Sequence, residues 1–345
     1  MENILNFTRK DLANWLDNNG IRPFRAGQIF KWLYIRQADE FEQMTDLSKE
    51  LRLKLEDNFH IKRLIVEEKL VSVDKTEKFL LRLSDGNHIE SVLIPQKDHF
   101  TLCVSSQVGC VQNCQFCLTA KGGLIRNLEI SEIIAQIRDA RYYLIQKDLD
   151  PKKLSNIVFM GMGEPLANYK NLIKALEIIM DSDYGLKFSS KRVTVSTCGL
   201  VPKITQLGLD TDVNLAISLN ATSDEMRSSL MPINKKYPIK KLLEACRTFT
   251  MKPRKKITFE YILMKGINDT KEDAHKLAKL LAPIKAKINL IPFNEYDKSE
   301  FKRPSQKQVS EFLQVLLDQN FTAITRKSKG EDILAACGQL KAKLH

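Results

Sequence analysis

No stretch of the sequence approaches the roughly 18 consecutive apolar residues that a membrane helix needs, so no membrane span is expected. The first residues, MENILNFTRKDLANW, lack the basic start and apolar stretch of a secretory signal, and a cytoplasmic protein is expected. There is no fixed-period repeat and no low-complexity tract, which excludes solenoid and linker-like chains. Histidine is scarce, at five residues: His60, His88, His99, His275 and His345. Acidic residues are outnumbered, 42 against 54 basic ones, for a net charge of +12. That balance suits a polyanionic partner such as RNA, the plainer reading being a basic solubility surface. Cysteine is present in an odd number, seven in 345 residues. In a long chain without an export signal this points away from a disulfide scaffold and towards thiol or metal chemistry. With 43% apolar residues the chain can bury one large core, with room for a small second unit.

Residues 1–60 read as short helices over Asp11–Asn18, Ala26–Gln37 and Leu47–Asn58, with Ser48 a candidate cap. Lys78–Leu83 and His88–Ile94 read as strands, and Asp85-Gly86 between them is a hairpin signal. Beyond Pro95, short apolar strands (101–106, 156–161, 192–196, 213–219, 257–264 and 287–293) alternate with helices. The helices are expected near Ser131–Leu144, Lys170–Met180, Ile239–Phe249, Lys271–Leu281 and Ser305–Asp318. Six strands separated by helices imply an α/β fold with a parallel sheet covered by helices. Six units are too few to close the usual eight-unit barrel, so a partial (βα)6 TIM-type barrel is expected. After Phe321 come a short strand, TAIT, then basic RKSKG and EDILAACGQLKAKL. The resulting division is a helical module (1–60), a hairpin linker (61–95), the barrel (96–330) and a C-terminal segment (331–345).

The segment SSQVGCVQNCQFCLTAKGG places Cys110, Cys114 and Cys117 in the spacing C-x3-C-x2-C directly after the first barrel strand. Iron–sulfur clusters are held by Cys thiolates, and tight spacing lets one loop wrap the cluster. A zinc site normally takes four ligands, and no histidine lies beside the trio. Three ligands on a 4Fe-4S cluster leave one iron open. This spacing, with Phe116 before the last cysteine, is the signature of enzymes that run radical chemistry on S-adenosylmethionine. Three inert buried thiols, or a zinc site, are the competing readings.

Ligands in parallel α/β folds bind at the carboxyl ends of the strands. There the second barrel strand ends in GMGEP, where Gly161 and Gly163 permit close approach and Glu164 offers a carboxylate to an ammonium group. The third ends at Ser196, the fourth at Ser218-Leu219-Asn220 and the sixth at Asn294. Each puts a hydroxyl or amide on the rim that carries the cysteine loop, suited to the ribose and adenine of the cofactor. Taken singly, each is an ordinary strand-end turn.

TLCVSSQVGC, FMGMGEPLANY, RVTVSTCG, LAISLNA, MPINKKYP, INLIPFN, DILAACGQL and, near the N-terminus, PFRAGQIFKWLY occur together. On these motifs the chain resembles the RlmN family of RNA adenine C2 methyltransferases over nearly its whole length. The sister Cfr-type family, which methylates C8, shares most of them. Pro165 after GMGE and Thr119-Ala120 after the last cluster cysteine are RlmN-like. The family usually has His where this chain has Asn220; an amide still hydrogen-bonds but does not titrate near neutral pH.

The resemblance implies roles for three further residues. Cys337 would accept a methyl group from one S-adenosylmethionine. A second, reduced through the cluster, would give the radical that activates the S-methyl group for addition to adenine C2, so two are used per turnover. Cys103 would resolve the protein–RNA adduct by attack on the Cys337 sulfur, leaving a disulfide. Glu90 would take the C2 proton, on a strand whose apolar neighbours raise its pKa. Cys198 and Cys246 have no assigned part and read as packing residues. Implied partners are 23S rRNA, tRNA (next to the anticodon) and a flavodoxin- or ferredoxin-type electron donor; a monomer is the default expectation. The N-terminal module is implied as an RNA contact, the target base being extruded to reach the radical. Basic clusters at Lys152-Lys153, Lys191-Arg192, Lys235-Lys236, Lys252–Lys256 and Arg326–Lys329 are candidates to neutralise phosphates. C8 methylation, and a non-catalytic RNA-binding protein with a structural metal site, are the alternatives.

Overall fold

The computed structural model describes residues 1–252, 255–297 and 299–342. A two-residue strand β1 (Glu2–Asn3) leads into α1 (Arg9–Asn18), α2 (Arg25–Phe30) and α3 (Lys49–Asn58), and β2 (Phe59–His60) returns to pair with β1. Thr8 and Asp11 start α1 with a reciprocal capping box, and Ser48 caps α3 by accepting the Leu51 N–H. The second helix is shorter than the expected Ala26–Gln37. It widens into a π turn over Lys31–Ile35, which directs Trp32, Leu33 and Tyr34 into the core beside Phe30.

Three strands follow: β3 (Ile65–Val71), β4 (Glu77–Arg82) and β5 (His88–Pro95). Asp85 makes the turn between β4 and β5 by accepting the Asn87 N–H, and Gly86 takes φ 84°. β3 is an addition to the expected hairpin. It is a largely exposed edge strand, so IVEEKLV shows little apolar alternation. The chain continues through β6 (Phe100–Cys103), β7 (Gln107–Gly109), α4 (Leu118–Lys121), β8 (Leu124–Asn127), α5 (Ile130–Gln146) and β9 (Leu154–Phe159). Then come α6 (Tyr169–Met180), β10 (Val193–Thr197), α7 (Val201–Asp210), β11 (Asn214–Ser218), α8 (Asp224–Leu230), α9 (Ile239–Arg247) and β12 (Ile257–Leu263). The series closes with α10 (Lys271–Leu281), β13 (Ala286–Pro292), α11 (Gln306–Asp318) and β14 (Thr322–Thr325).

Among the described residues, ten strands form one sheet in the order β14-β13-β12-β11-β10-β9-β6-β5-β4-β3. Every pairing from β6 to β14 is parallel and every pairing from β6 to β3 is antiparallel. The six strands expected from the sequence are therefore joined by TAIT as a seventh parallel strand, and the sheet stays open, as an α/β partial barrel does. The strands read as continuous apolar runs because both faces are covered, as at the consecutive buried residues Leu215, Ala216 and Ile217 of β11.

Parallel strands put all their carboxyl ends on one rim. Lys152-Lys153 precede β9, Lys191-Arg192 precede β10, and Lys252, Lys255 and Lys256 precede β12. These clusters therefore lie at the amino end of the barrel, opposite the rim; Arg254 of the third lies outside the described residues. Lys235-Lys236 follow β11 and belong to the rim side. In the Arg326–Lys329 cluster Lys327 is exposed, while Arg326 and Lys329, each partly exposed, also line a small cavity.

Candidate active site

The cysteine loop is closed at its neck by the antiparallel pair β7 and β8. Gly109 at the neck has φ 77°, and a Cβ there would sit 1.9 Å from the Gly123 carbonyl oxygen. That close approach lets the Cys110 N–H donate to the same oxygen at 2.7 Å. Further along, the Gln115 N–H reaches the Leu230 carbonyl at 2.9 Å, anchoring the loop to the end of α8. Cys110, Cys114 and Cys117 then line one cavity together with Gly163, Glu164, Ser196, Ser218, Glu260 and Cys337.

The donor set suits an iron–sulfur cluster. Burial pushes the Cys110 thiol up to about 12 and the Cys114 thiol well above its ordinary value, and each is raised further by Cys117. Buried thiols that oppose one another's ionisation call for a cationic group to hold them as thiolates. Among the described residues no three His, Cys, Asp or Glu side chains converge on a single ion. A cluster does not require this, since each thiolate binds its own iron.

Glu164 is 4% exposed and both its oxygens accept backbone N–H groups, from Leu166 at 3.1 Å and Cys198 at 2.8 Å. Burial raises its pKa, and these hydrogen bonds only partly offset the effect. No cationic side chain among the described residues pairs with it. A buried carboxylate lacking a counter-charge, beside the cysteine trio, fits a ligand that brings an ammonium group.

The rim is stitched by a residue that the sequence reading passed over. Arg227, fully buried, donates to the carbonyls of Cys198, Ser218 and Leu219 and to Asn234 Oδ1, so one guanidinium joins the ends of β10 and β11. Its signal was Asn234 of the MPINKKYP motif. Leu219 and Asn220 stand behind the cavity rather than in its lining. Asn220 is fully buried at φ 57° and accepts the Ile262 N–H on Oδ1, tying β11 to β12. Asparagine is at ease in this left-handed conformation.

Glu260 was also missed, although a carboxylate inside the apolar run ITFEYILM is itself a signal. Oε2 accepts the Ser196 hydroxyl at 3.1 Å; Oε1 has no hydrogen-bond partner and lies 3.7 Å from Arg326 Nη1. Its unsatisfied oxygen is suited to a ligand hydroxyl. Cys198, set aside as packing, also lines the cavity. Cys246 is buried on α9.

Cys337 lies in the segment after β14. Asn294 Nδ2 donates to its carbonyl at 3.2 Å, the Leu118 N–H to that of Gly338 at 2.8 Å, and the Thr119 hydroxyl to that of Leu340 at 2.6 Å. A second small cavity is lined by Cys103, Asn294, Arg326 and Cys337, so Asn294 belongs there and not beside the trio. All seven cysteines are free thiols in this structure. Burial pushes Cys103 up to about 12, with Cys337 adding to the shift; burial raises Cys337 too, while the Arg326 guanidinium pulls it down. Glu90 is 2% exposed, but the apolar setting expected for it is corrected: Lys78 Nζ lies 3.0 Å from its Oε1, and the Lys341 N–H donates to Oε2 at 2.8 Å.

Comparison with known proteins gives two matched regions of the chain. Residues 2–61 match the ribosomal RNA large subunit methyltransferase N-terminal domain, and residues 104–281 the radical SAM superfamily. The dual-specificity RNA methyltransferase RlmN of Desulfosudis oleivorans is 55% identical over 99% of this chain and 91% of its own length. That of Geobacter sulfurreducens is 53% identical over 97% and 90%. The crystal structure of a radical SAM methyltransferase from Sphaerobacter thermophilus superposes with a TM-score of 0.92 at 40% identity, covering 99% of this chain and 100% of that one. A 4Fe-4S cluster and S-adenosylmethionine are the cofactors this membership implies, and the chemistry of the cysteine loop and of Glu164 fits them. The chain belongs to the RlmN family of radical SAM RNA methyltransferases.

Proposed function

We propose that this chain methylates C2 of adenosine in 23S ribosomal RNA and in transfer RNA, with Cys337 as the intermediate methyl carrier. The observation that carries this is the double placement of Cys337. It lines the cavity of Cys110, Cys114 and Cys117 and also the small cavity of Cys103. One thiol thus adjoins both the place where a methyl group arrives and the thiol that would free the product.

When bound, the cluster and S-adenosylmethionine supply an electron, a methyl group and the radical chemistry that an sp² carbon such as adenine C2 requires. Cys110, Cys114 and Cys117 would each hold one iron and leave the fourth open. Glu164 would take the amino group of the methionine part, and Ser196, Ser218 and Glu260 would meet hydroxyls of the nucleoside part. Cys337 would receive the methyl on Sγ. Cys103 Sγ would later bond to Cys337 Sγ as the bond from that sulfur to carbon breaks. Glu90, which lines neither cavity in this structure, would accept the C2 proton by exchanging the hydrogen bond it receives from the Lys341 N–H for the new one.

The N-terminal helical module (1–60) and the rim-side Lys235-Lys236 are read as RNA contacts. The segment 61–95 is read as the link between that module and the barrel, which runs from 96 to 330 and is followed by the Cys337 segment. A flavodoxin- or ferredoxin-type donor, a monomeric state and a cytoplasmic location complete the reading. Two RNA classes are supported by the dual-specificity names of the relatives. Mass spectrometry of nucleosides from treated ribosomal and transfer RNA tests the proposal: 2-methyladenosine is expected, and 8-methyladenosine as the sole product would overturn it.

A further inference from the structure

The Cys337 segment is held on its outer side by the antiparallel ribbon. Gly330 donates its N–H to Asp74 Oδ2, and the Asp332 carboxylate accepts from the Ser72 hydroxyl and the Val73 N–H, so the turn between β3 and β4 grips the start of the segment. Deeper in, Lys78 Nζ donates to the Leu334 carbonyl at 3.4 Å, and Glu90 Oε2 accepts the Lys341 N–H at 2.8 Å. Lys78 and Glu90 are 3.0 Å apart and only 4% and 3% exposed. Across β4 and β5, Glu90 pairs with Leu80, which places Lys78, two residues along, on the same face as Glu90.

We propose that Lys78 and Glu90 form a clamp that positions Cys337. The two points they hold, Leu334 and Lys341, flank Cys337 in the chain. The ion pair between them fixes the span, so the arc of backbone carrying the thiol is set at both feet. Leu334 takes φ 51° without being a glycine, a conformation that persists only where neighbours enforce it, and the Lys78 ammonium holds the carbonyl of that very residue. A buried ion pair adds little net stability over a well-packed apolar pair, so a structural account alone leaves its presence unexplained. An ammonium and a carboxylate can grip a carbonyl and an N–H, and apolar side chains cannot. Lys78 lines neither cavity, so it acts through the segment as a positioning residue.

The inference rests on Cys337 as methyl carrier only for its catalytic meaning; the clamp itself is a statement about backbone order. The test uses full-length, cluster-loaded enzyme as wild type, Lys78→Met, Lys78→Arg and the double variant Lys78→Met/Glu90→Met. The double variant carries no unpaired buried charge and keeps the test open if Lys78→Met folds poorly. Amide hydrogen exchange across 334–341 is expected to quicken about tenfold or more in the double variant, with β12 and β13 unchanged. Lys78→Arg is expected to restore protection in part. In Lys78→Met, which leaves Glu90 in place, S-methylation of Cys337, read by peptide mass spectrometry, and kcat for RNA methylation are expected to fall while KM for RNA holds; the double variant is read by exchange and S-methylation alone. Wild-type protection of 334–341 in the double variant would overturn the clamp. Normal turnover by Cys337→Ala would instead overturn the methyl-carrier reading and leave the exchange result standing.

Discussion

The Glu164 carboxylate accepts the Cys198 backbone N–H at 2.8 Å, so the turn after β9 and the end of β10 share one buried charge. That charge is costly in the absence of a cationic ligand. The folded pKa lies above the unfolded carboxylate value, so the associated stabilisation is present below the unfolded value and is lost as pH rises through the folded one. At neutral pH the ionised group destabilises the ligand-free protein. Glu164→Gln, whose amide satisfies only one of the two backbone N–H groups, is therefore expected to lose about 1–3 kcal/mol of hydrogen bonding in the apoprotein but to gain less relative stability than wild type on acidification. Its affinity for S-adenosylmethionine is expected to fall about tenfold or more, as a lost buried charge contact implies. Parallel chemical denaturation and anaerobic binding measurements check both halves.

The neck of the cysteine loop makes a second expectation. Gly109→Ala forces a Cβ into the Gly123 carbonyl, whereas Gly123→Ala, at φ 69°, meets nothing within 4 Å. The first variant is expected to lose at least about 2 kcal/mol of stability and most of its iron, and the second about 1 kcal/mol from backbone strain alone. Thermal melts and iron and sulfide analysis of reconstituted protein separate them.

For the working thiols, Cys337→Ala is expected to abolish RNA methylation and Cys103→Ala to accumulate protein cross-linked to RNA, seen as a shifted band on denaturing gels. Cys246→Ala, buried on α9 away from both cavities, is expected to cost about 1–2 kcal/mol in stability and to turn over normally.

The pH dependence of adduct resolution follows from Cys103. With its thiol pushed up to about 12, the thiolate fraction rises close to tenfold per pH unit through the neutral range. Cross-link decay in single-turnover experiments is expected to accelerate on going from pH 7 to pH 8.5. A flat profile would show that another step limits it.

The sequence was most legible where local chemistry decides. The C-x3-C-x2-C spacing, the Asp85-Gly86 turn and the Ser48 cap each act within a few residues, and each is found in place. It was least legible where partners come from distant segments. Glu90 reads as an isolated carboxylate on an apolar strand; only the β4–β5 register reveals Lys78 beside it. Arg227 hides its role because its acceptors are backbone carbonyls, which leave no trace in composition. Asn220 was expected at the cofactor, yet its amide faces the Ile262 N–H. The basic clusters were illegible in a different way, since the sequence does not show which of them share a face. Lys152-Lys153 and Lys191-Arg192 are exposed, but strand direction puts them at the far end of the barrel, and direction becomes visible only once the pairings are known.

Cys103 ends β6, the strand where pairing changes from antiparallel, on the β5 side, to parallel, on the β9 side. Its backbone is registered against Val92 on one flank and Val158 on the other. The Cys103 thiol therefore belongs to a seam, with a ribbon strand on one side and a barrel strand on the other. An insertion or a slip in either partner would displace it. The ribbon is then no mere tether between the N-terminal module and the barrel. It is a shared wall of the small cavity, to which β5 gives Ile94 and β6 gives Cys103.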